Sequence, residues 1–589
     1  MYKPRMYLRS FLALVLVLVA IEAQAKQARE ADVIVVGAGI AGLSVALEAA
    51  RGGASVLVVD LWSIFGGHAV LSHGGLAIVG TPVQEAQGVV DTPEIAARDF
   101  LEWGEDASEP WVRYYAANSR EQIYDWLTTM GVQFSGALRI PGNSVARFHE
   151  PVGRGLGLVS PIYRRAVLHP NIRFLWNFKV DGLAVEEGRV SGVEGVHQRS
   201  SERETLASDF VVLATGGFQS NLDMVRSFWP KGVPFPERLL AGSGLNSLGF
   251  GHVVAEKSGA VLDRMDHQWN YATGLPDPRY PDGKRGLNAS NDAAIWVNAA
   301  GKRFVNEEGS VKEQFPALVA QEGSRYWAIF DEKAKRGFAI TGSDWADFRV
   351  IEEKIFGNPD LVKSAPTIEG LAAAAGLPND ALAATVERYN RMVREGVDKD
   401  FGRGRFGGEI ASPPFYAVTF YPLARKSMGG IRIDTDSRVL DKDAKPIAGF
   451  LAAGEVTGFG GINGKAGLEG TFLGPSIVTG RVAGRTILKE IGESRSLTAV
   501  SESSPAPPSA ADEEFENDTC GTCHDLEALV LTSRPGYSHF EKVHRVVMDK
   551  AFACRTCHEE MFPIDLDRHR IDAVRQIDTC KNCHVATER

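Results

Sequence analysis

Cysteine is scarce in this sequence: there are six in 589 residues, and all of them lie beyond residue 519. The first 519 residues therefore contain no thiolate that could act as a nucleophile or as half of a redox pair. Long hydrophobic runs are also missing. The longest, Phe11 to Ile21, has 11 residues, whereas a membrane-spanning helix needs about 20. A net charge of −10 argues against nucleic acid as a partner.

The short apolar run near the N-terminus is typical of a secretory signal. Lys3, Arg5 and Arg9 precede it, and Ala23-Gln24-Ala25 follows it as a small-x-small cleavage site. We predict a signal peptide over residues 1–25 and a periplasmic location. An uncleaved membrane anchor is the alternative.

The six cysteines form three Cys-x-x-Cys-His pentads, which have the spacing of c-type haem attachment. In such a pentad two thiols bond to the haem and the adjacent His ligates the iron. Zinc sites or disulfides are alternatives, but zinc does not require a His directly after each second Cys. We predict three covalently attached haems in a small, mostly irregular or helical domain over residues 519–589. The pentads are Cys520, Cys523 and His524; Cys554, Cys557 and His558; and Cys580, Cys583 and His584.

Three further histidines complete the number that bis-His ligation needs. Six of the 13 histidines lie beyond residue 500, and those outside the pentads are His539, His544 and His569. Two imidazoles per iron leave no open position, which favours electron transfer. Met548 and Met561 are the alternative ligands. The run from Ser538 to His544 resembles the class III multihaem cytochromes c.

A dinucleotide-binding unit opens the mature chain. An apolar strand over residues 32–36 leads into Gly37-x-Gly39-x-x-Gly42, a helix is predicted over residues 43–51, and a second strand ends on Asp60. Glycines in such a turn let the backbone approach a pyrophosphate, the helix N-terminus favours negative charge, and the acidic residue binds ribose hydroxyls.

More glycine-rich loops follow in a recognisable order, near residues 65–75, 214–218 and 449–458. With the segments at 80–94 and 301–307, they resemble the fumarate reductase and succinate dehydrogenase flavoprotein family. That family includes 3-ketosteroid dehydrogenases and flavocytochrome c fumarate reductases, and the resemblance covers about residues 31–490. It implies FAD as cofactor, held by the first turn and by Gly66, Gly67, His68, Ser72, Gly74, Gly75, Thr215, Gly216, Gly454 and Glu455.

The resemblance implies an α/β fold with two parts. A Rossmann-like FAD-binding domain, residues 26–265 and 426–492, would be interrupted by an α+β capping domain, residues 266–425. Residues 493–518 are rich in Ser, Pro and Ala and are predicted to form a flexible linker to the haem domain. His68 aligns with the position at which succinate dehydrogenases bond the flavin, so covalent FAD is an alternative to a non-covalent contact.

Four departures from the family argue against fumarate or succinate as substrate. The position of the acid Arg falls near Val311, and that of one clamp His near Tyr271. The second His gives way to Arg425-Lys426-Ser427, and the clamp Arg to Gly467. What remains still suits activation of a carbonyl or carboxylate.

Arg425, Lys426 and Lys465 are our candidates for stabilising an enolate-like transition state. Tyr271 or Tyr421 is the candidate for moving the proton. Surface cations and packed tyrosines remain the structural alternatives.

These residues predict an FAD-dependent oxidoreductase. It would exchange a hydride with a small organic substrate at a CH–CH bond, such as that of an enoate or enone. The haems would relay electrons to or from a quinol dehydrogenase or a cytochrome c. The alternatives are a ketosteroid-dehydrogenase-like enzyme passing electrons outward, a true fumarate reductase, and a non-catalytic electron-transfer protein.

Overall fold

A computed structural model describes residues 30–342 and 345–495. The predicted signal peptide, the linker beyond residue 495 and the haem domain lie outside the described residues, and so do all the cysteines and the six predicted haem-ligating histidines. Within the described ranges, no helix combines the length and apolar character that crossing a bilayer requires.

The described residues contain strands β1 to β21. In chain order they are β1 (Ala31–Val36), β2 (Val56–Asp60), β3 (Leu76–Ala77), β4 (Phe134–Leu138), β5 (Phe148–Pro151), β6 (Ile172–Trp176), β7 (Phe178–Glu186), β8 (Arg189–His197), β9 (Arg203–Leu213), β10 (Leu240–Ala241), β11 (Leu262–Asp263), β12 (Gln268–Pro276), β13 (Gly286–Ser290), β14 (Ile295–Val297), β15 (Tyr326–Asp331), β16 (Ala339–Ile340), β17 (Val362–Ala365), β18 (Phe415–Ser427), β19 (Gly430–Ile431), β20 (Arg438–Leu440) and β21 (Pro446–Ala452).

The described α-helices are numbered separately. They are α1 (Ile40–Arg51), α2 (Pro82–Ala86), α3 (Pro93–Gly104), α4 (Glu109–Ser119), α5 (Trp126–Thr129), α6 (Arg154–Val167), α7 (Leu222–Ser227), α8 (Phe250–Lys257), α9 (Val311–Val319), α10 (Glu332–Lys335), α11 (Phe348–Ile351), α12 (Ile368–Ala375), α13 (Asn379–Glu395) and α14 (Leu473–Arg495).

The first large sheet is built around β1. Its strand order is β20-β21-β9-β1-β2-β6, and all of these strands except β20 run parallel to one another. Every residue of β1 is buried, as expected for a parallel strand covered on both faces. An antiparallel meander of β7 and β8 continues from β9. Helices α1 and α14 pack on each other and are joined where Glu48 pairs with Arg481 and Arg485.

The second large sheet has the order β14-β15-β18-β12-β13-β16, with β10 and β17 also paired to β18. Most of it comes from residues 266–427, and its aromatic core stacks Tyr326 between Trp296 and Phe420. The 13-residue strand β18 begins in this sheet and ends at Ser427, whose backbone N–H donates to Glu455 in the loop after β21. That connection places the end of β18 beside the carboxyl ends of the first sheet.

The mixed α/β class predicted from the sequence is confirmed. Helix α1 begins at Ile40, three residues before the predicted start. Gly42 therefore lies inside the first turn of the helix. It must be glycine because a side chain there would collide with the backbone of Gly37.

Candidate active site

The turn between β1 and α1 accepts only glycine at two of its three glycine positions. Gly37 has a φ of +112°, and a Cβ there would lie 2.5 Å from the carbonyl oxygen of Ala214. A Cβ on Gly42 would lie 1.9 Å from the carbonyl oxygen of Gly37. Gly39 differs from both, because no atom of the described residues beyond its two chain neighbours lies within 4 Å of its Cβ position. It caps α1 and faces open space, as a backbone that approaches a phosphate must.

Asp60 ties the end of β2 to this turn. Its Oδ2 accepts from the N–H of Ala38 and its Oδ1 from the N–H of Trp62, each at 2.7 Å. Burial raises the pKa of Asp60 to about 6 in spite of these two hydrogen bonds. The carboxyl group lies in the cavity wall, where its remaining lone pairs can accept from a ribose hydroxyl.

The second glycine-rich loop runs alongside the first. Gly66 forms a parallel bridge with Gly39, and the φ values of Gly66 and Gly74 are +93° and +85°. Ser72 Oγ donates to the carbonyl of Ala69 and accepts from the N–H of Gly74. The loop holds His68 in the cavity wall, with its Nδ1 3.4 Å from Ser243 Oγ.

Two further stretches close the cofactor side of the cavity. Thr215 follows β9, and its hydroxyl is buried with no hydrogen-bond partner in the part of the chain that is described. Glu455 follows β21, and burial raises its pKa to about 7 while the N–H of Ser427 donates to it at 3.0 Å.

Twelve of the 14 predicted FAD residues therefore meet in one cavity. Gly37, Gly39, Asp60, Gly66, Gly67, His68, Ser72, Gly74, Gly75, Thr215, Gly216 and Glu455 line it. The open backbone at Gly39 and the unpaired Thr215 hydroxyl fit a bound dinucleotide, so the residues present suit FAD. Gly42 and Gly454 are not in the lining. Gly42 packs inside the turn, and a Cβ on Gly454 would lie 2.7 Å from the Cβ of Ala41.

A β-bulge near the end of β18 brings two adjacent cations to the cavity. Lys426 pairs with Trp269 of β12 and Ala424 pairs with Asn270, so Arg425 is an extra residue without an opposite partner. Neighbouring side chains on a regular strand point to opposite faces, but a bulge re-aims them. Both Arg425 and Lys426 consequently line the cavity.

Lys426, Tyr271 and Glu469 form a connected cluster in the wall of the cavity. Lys426 Nζ donates to Tyr271 Oη (2.8 Å) and to Glu469 Oε2 (3.1 Å). The Tyr271 hydroxyl donates to Glu469 Oε1, which also accepts from Trp269 Nε1 at 3.3 Å. The Lys426 ammonium lies over the ring of Phe472, 3.5 Å from its centroid.

The cluster shifts the acidity of its members in different directions. Burial lowers the pKa of Lys426 to about 8, although Glu469 opposes the shift. Burial, together with the charge of Glu469, raises the pKa of Tyr271 well above its usual value. Burial works against the charge on Glu469, but Lys426 and the hydrogen bonds outweigh it, so the pKa of Glu469 is lowered. Of the three, Lys426 has the pKa best suited to proton transfer near neutral pH.

The structure brings together three of the five candidate residues, Arg425, Lys426 and Tyr271, and adds one. Tyr421, the alternative to Tyr271, does not line the cavity. Lys465 has an exposed side chain and does not line the cavity, so it is not brought together with Arg425, Lys426 and Tyr271. Glu469 lies four residues further along the same loop and was missed. The sequence signal that could have identified Glu469 is that it is a single acidic residue among small and apolar neighbours, Gly467 to Gly470.

The positions of the family's missing arginines lie in apolar surroundings. A Cβ on Gly467 would be 2.8 Å from ring atoms of both Phe472 and Trp269, so no side chain fits there. Val311 packs against the apolar cluster that contains Trp269, Tyr271 and Phe472. Neither position offers a cation to a substrate.

Comparison with known proteins agrees with this geometry. A protein-family model described as an FAD binding domain matches residues 32–473. This chain belongs to that FAD-binding family. A KsdD-like steroid dehydrogenase of Mycobacterium tuberculosis is 31% identical over 546 residues, covering 78% of this chain and 96% of the relative. A fumarate reductase (cytochrome) of Shewanella frigidimarina is 31% identical over 466 residues, covering 78% and 77%.

A solved structure supports the same assignment. The open conformation of a flavocytochrome c3 fumarate reductase superposes with a TM-score of 0.66 at 29% identity, covering 80% of each chain. With the family match and the cavity described above, the chain is an FAD-dependent oxidoreductase that acts on CH–CH bonds.

Proposed function

We propose that this protein reduces the carbon–carbon double bond of an activated alkene, an enone or enoate, and that Lys426 donates the proton. The observation that carries the proposal is the Lys426–Tyr271–Glu469 cluster. It places a lysine with a pKa of about 8 in the wall of the cavity that also holds the predicted FAD residues.

The cofactor would be held by the glycine turns, Asp60 and Thr215, and when bound in reduced form FAD supplies a hydride. The chain's own residues then have three tasks. Lys426 gives a proton to the carbon next to the activating carbonyl, so that one C–H bond forms there while its N–H bond breaks. Tyr271 and Glu469 hold the ammonium in place. Phe472, which lines the cavity with Trp269 packed in the same apolar cluster, excludes water from the reacting end.

Fumarate is a poor fit to this site. A dicarboxylate needs cations at both ends, but Gly467 leaves no space for a side chain and Val311 is apolar. The proposal therefore favours a substrate whose reacting end is largely apolar, with one polar activating group.

We further propose that three c-type haems on residues 519–589 carry electrons from a periplasmic or membrane-bound donor to the flavin site. The three pentads and the signal-like N-terminus support this part, and both lie outside the described residues. Covalent attachment of FAD at His68 stays a prediction with the non-covalent contact as its alternative. The flexible linker and the predicted domain boundaries belong to the same proposal.

The test is anaerobic reduction of a panel of alkenes by the full-length protein, with its visible absorption bands followed after stoichiometric reduction. The panel contains fumarate, urocanate, cinnamate-type acrylates and enones. Rapid reoxidation by an enone or acrylate supports the proposal. If fumarate alone reoxidises the protein, the proposal is wrong about the substrate.

A variant pair tests the role of Lys426. Lys426→Met is expected to lower kcat by at least about 100-fold, the usual scale for loss of a general acid. Lys302→Met is the matched control, because Lys302 is exposed and lies away from the cavity. Equal losses in both variants would contradict the role of Lys426.

The runner-up is the reverse reaction, with electrons passing outward from a saturated ketone. The 96% coverage of the KsdD-like steroid dehydrogenase favours it. Reduction of the oxidised protein by saturated ketones or steroids, with no reoxidation by any alkene, would establish this direction.

A further inference from the structure

A second, more polar cavity opens from the first at His68 and Arg425, which line both. It lies between β13, the loop after β10 and the described residues that follow β16, which are Thr341, Gly342 and Trp345, away from the glycine turn at Gly37 to Gly42. The charged side chains of its described lining are Asp277, Arg279, Arg285 and Arg425.

Asp277 forms an ion pair with one of these arginines, Arg279. Its carboxylate accepts from Arg279 Nε at 2.9 Å and from Arg279 Nη2 at 2.7 Å. The side chain of Asp277 is buried, and its backbone N–H bonds to the carbonyl of Arg285. The ion pair of this carboxylate is therefore with Arg279, and its charge acts on Arg285 only from beyond ion-pair distance.

Arg285 and Arg425 have no carboxylate at ion-pair distance among the described residues. Arg285 donates to Ser220 Oγ (3.0 Å) and to the carbonyl of Ser243 (2.7 Å). Arg425 donates to the carbonyl of Gly242, and its Nε is buried without a partner in the described structure. Burial and the neighbouring charge of Arg425 lower the pKa of Arg285, but a guanidinium remains protonated.

Among the described residues, both cations are half-buried and hydrogen-bond only to neutral oxygens, an arrangement that is costly unless a ligand brings the opposite charge. Guanidinium groups suit a carboxylate in particular, since their parallel N–H donors match its two oxygens. Trp345 Nε1 is also buried without a partner in the described structure, and Trp345 lines the same cavity.

We propose that this cavity binds a carboxylate of the substrate that is separate from the double bond being reduced. The inference rests on the proposed function, because it names the substrate class as an activated alkene with a remote acidic group. Arg285 and Arg425 hold the carboxylate, and the alkene then extends past the bulge towards Lys426 and Tyr271. Arg425 and Lys426 are adjacent in β18, so one molecule can reach both ends.

The test compares two probes that differ only in charge. They are para-carboxybenzalacetone and its para-carboxamide, whose enone groups are the same. Wild-type full-length protein is expected to favour the acid by roughly 30-fold or more in kcat/KM, which is the scale for a desolvated charge pair. Arg285→Gln is expected to remove that preference through KM, and Arg285→Lys to keep part of it.

The control is Arg238→Gln. Arg238 bonds to the carbonyl of Gly283 and lies over the ring of Tyr421, outside both cavities. It is expected to keep the preference of the wild-type protein. A second readout is binding of the saturated acid product, followed by tryptophan fluorescence, which needs no turnover.

The outcomes separate this inference from the proposed function. Equal kcat/KM for the two probes in wild-type protein, unchanged in Arg285→Gln, would overturn the carboxylate site and leave alkene reduction standing. Binding of the saturated acid that is lost in Arg285→Gln, with neither alkene reduced, would support the site and overturn the proposed function. Absence of both reduction and Arg285-dependent binding would overturn the two together.

Discussion

Lys426 is the residue on which the proposed chemistry depends. Because only its protonated form can donate, we predict how kcat changes with pH. Burial lowers its pKa to about 8, and only the protonated form can donate. We expect kcat for alkene reduction to be level below that pH and to fall about tenfold per pH unit above it. The profile is measured with an artificial donor, so that haem potentials do not enter.

The variant Lys426→Arg tests whether Lys426, and not another titrating group, causes the fall in kcat at high pH. A guanidinium stays protonated throughout the range, so Lys426→Arg should have a lower kcat without the alkaline limb. If the variant keeps the same limb, another group is responsible for it.

Gly39 and Gly42 predict different effects of the same substitution on stability. Gly39→Ala adds a methyl group to open space beside the turn, so the apoprotein should unfold at its normal temperature but retain little FAD. Gly42→Ala places the methyl group against the Gly37 carbonyl, so both stability and FAD content should fall. Thermal unfolding followed by circular dichroism, with FAD content measured by absorbance, distinguishes them. Normal FAD content in Gly39→Ala would argue against cofactor phosphates at this turn.

A site residue could be predicted from the sequence when its position is determined by residues close to it in the chain. The glycine turn and Asp60 are set by neighbours in sequence, and they lie where a dinucleotide site needs them. Lys465 and Glu469 lie in one irregular loop, where no periodicity tells which side chain points inward. Sequence reasoning therefore chose the exposed cation and missed the carboxylate that holds Lys426.

At the scale of elements, the bulge in β18 is the feature that sequence reasoning could not supply. Arg425 and Lys426 are adjacent, and regular alternation would place only one of them in the cavity. The bulge depends on pairing with β12, roughly 155 residues earlier, and such long-range register leaves no local signal. The parallel strands β1 and β2 were predictable because their buried apolar runs and the turn between them are contiguous.

Arg147 connects the start of β5 to helix α3 and to the loop before that helix, and we predict that replacing it has a large effect on stability. It lies just before β5, where its fully buried guanidinium pairs with Asp91 (2.7 Å) and with Asp99 of α3 (2.9 Å). Arg147→Met leaves two carboxylates without their cation and should lower the free energy of unfolding by about 3–5 kcal/mol. Urea unfolding of the full-length protein measures it.

Two further variants test whether charge or packing is responsible. Combining Arg147→Met with Asp91→Asn should recover part of the loss, since one stranded charge is removed. Arg113→Met removes an exposed i,i+4 pair with Glu109 and should change stability little. A double variant no more stable than Arg147→Met would mean that packing of the long side chain is what matters.

At the scale of the whole molecule, the chain joins an FAD-binding oxidoreductase to a segment that holds all its cysteines. The two parts differ in how they can be recognised. The flavin part is recognised through loops scattered over more than 400 residues that meet in one cavity, whereas each Cys-x-x-Cys-His pentad is complete within five residues. A motif that short predicts covalent attachment of a haem without predicting where that haem would lie relative to the flavin.

The pentads therefore predict a stoichiometry that does not depend on geometry. Full-length protein, matured where c-type haem is attached, should contain three covalent haems for each FAD, measured by haem absorbance in alkaline pyridine against released flavin. Replacing Cys520 and Cys523 by Ser should lower the ratio to two, because each haem needs its own pair of thiols. Bound zinc and no covalent haem would show that the pentads are zinc sites. The electrons for alkene reduction would then have to reach the flavin from a separate protein.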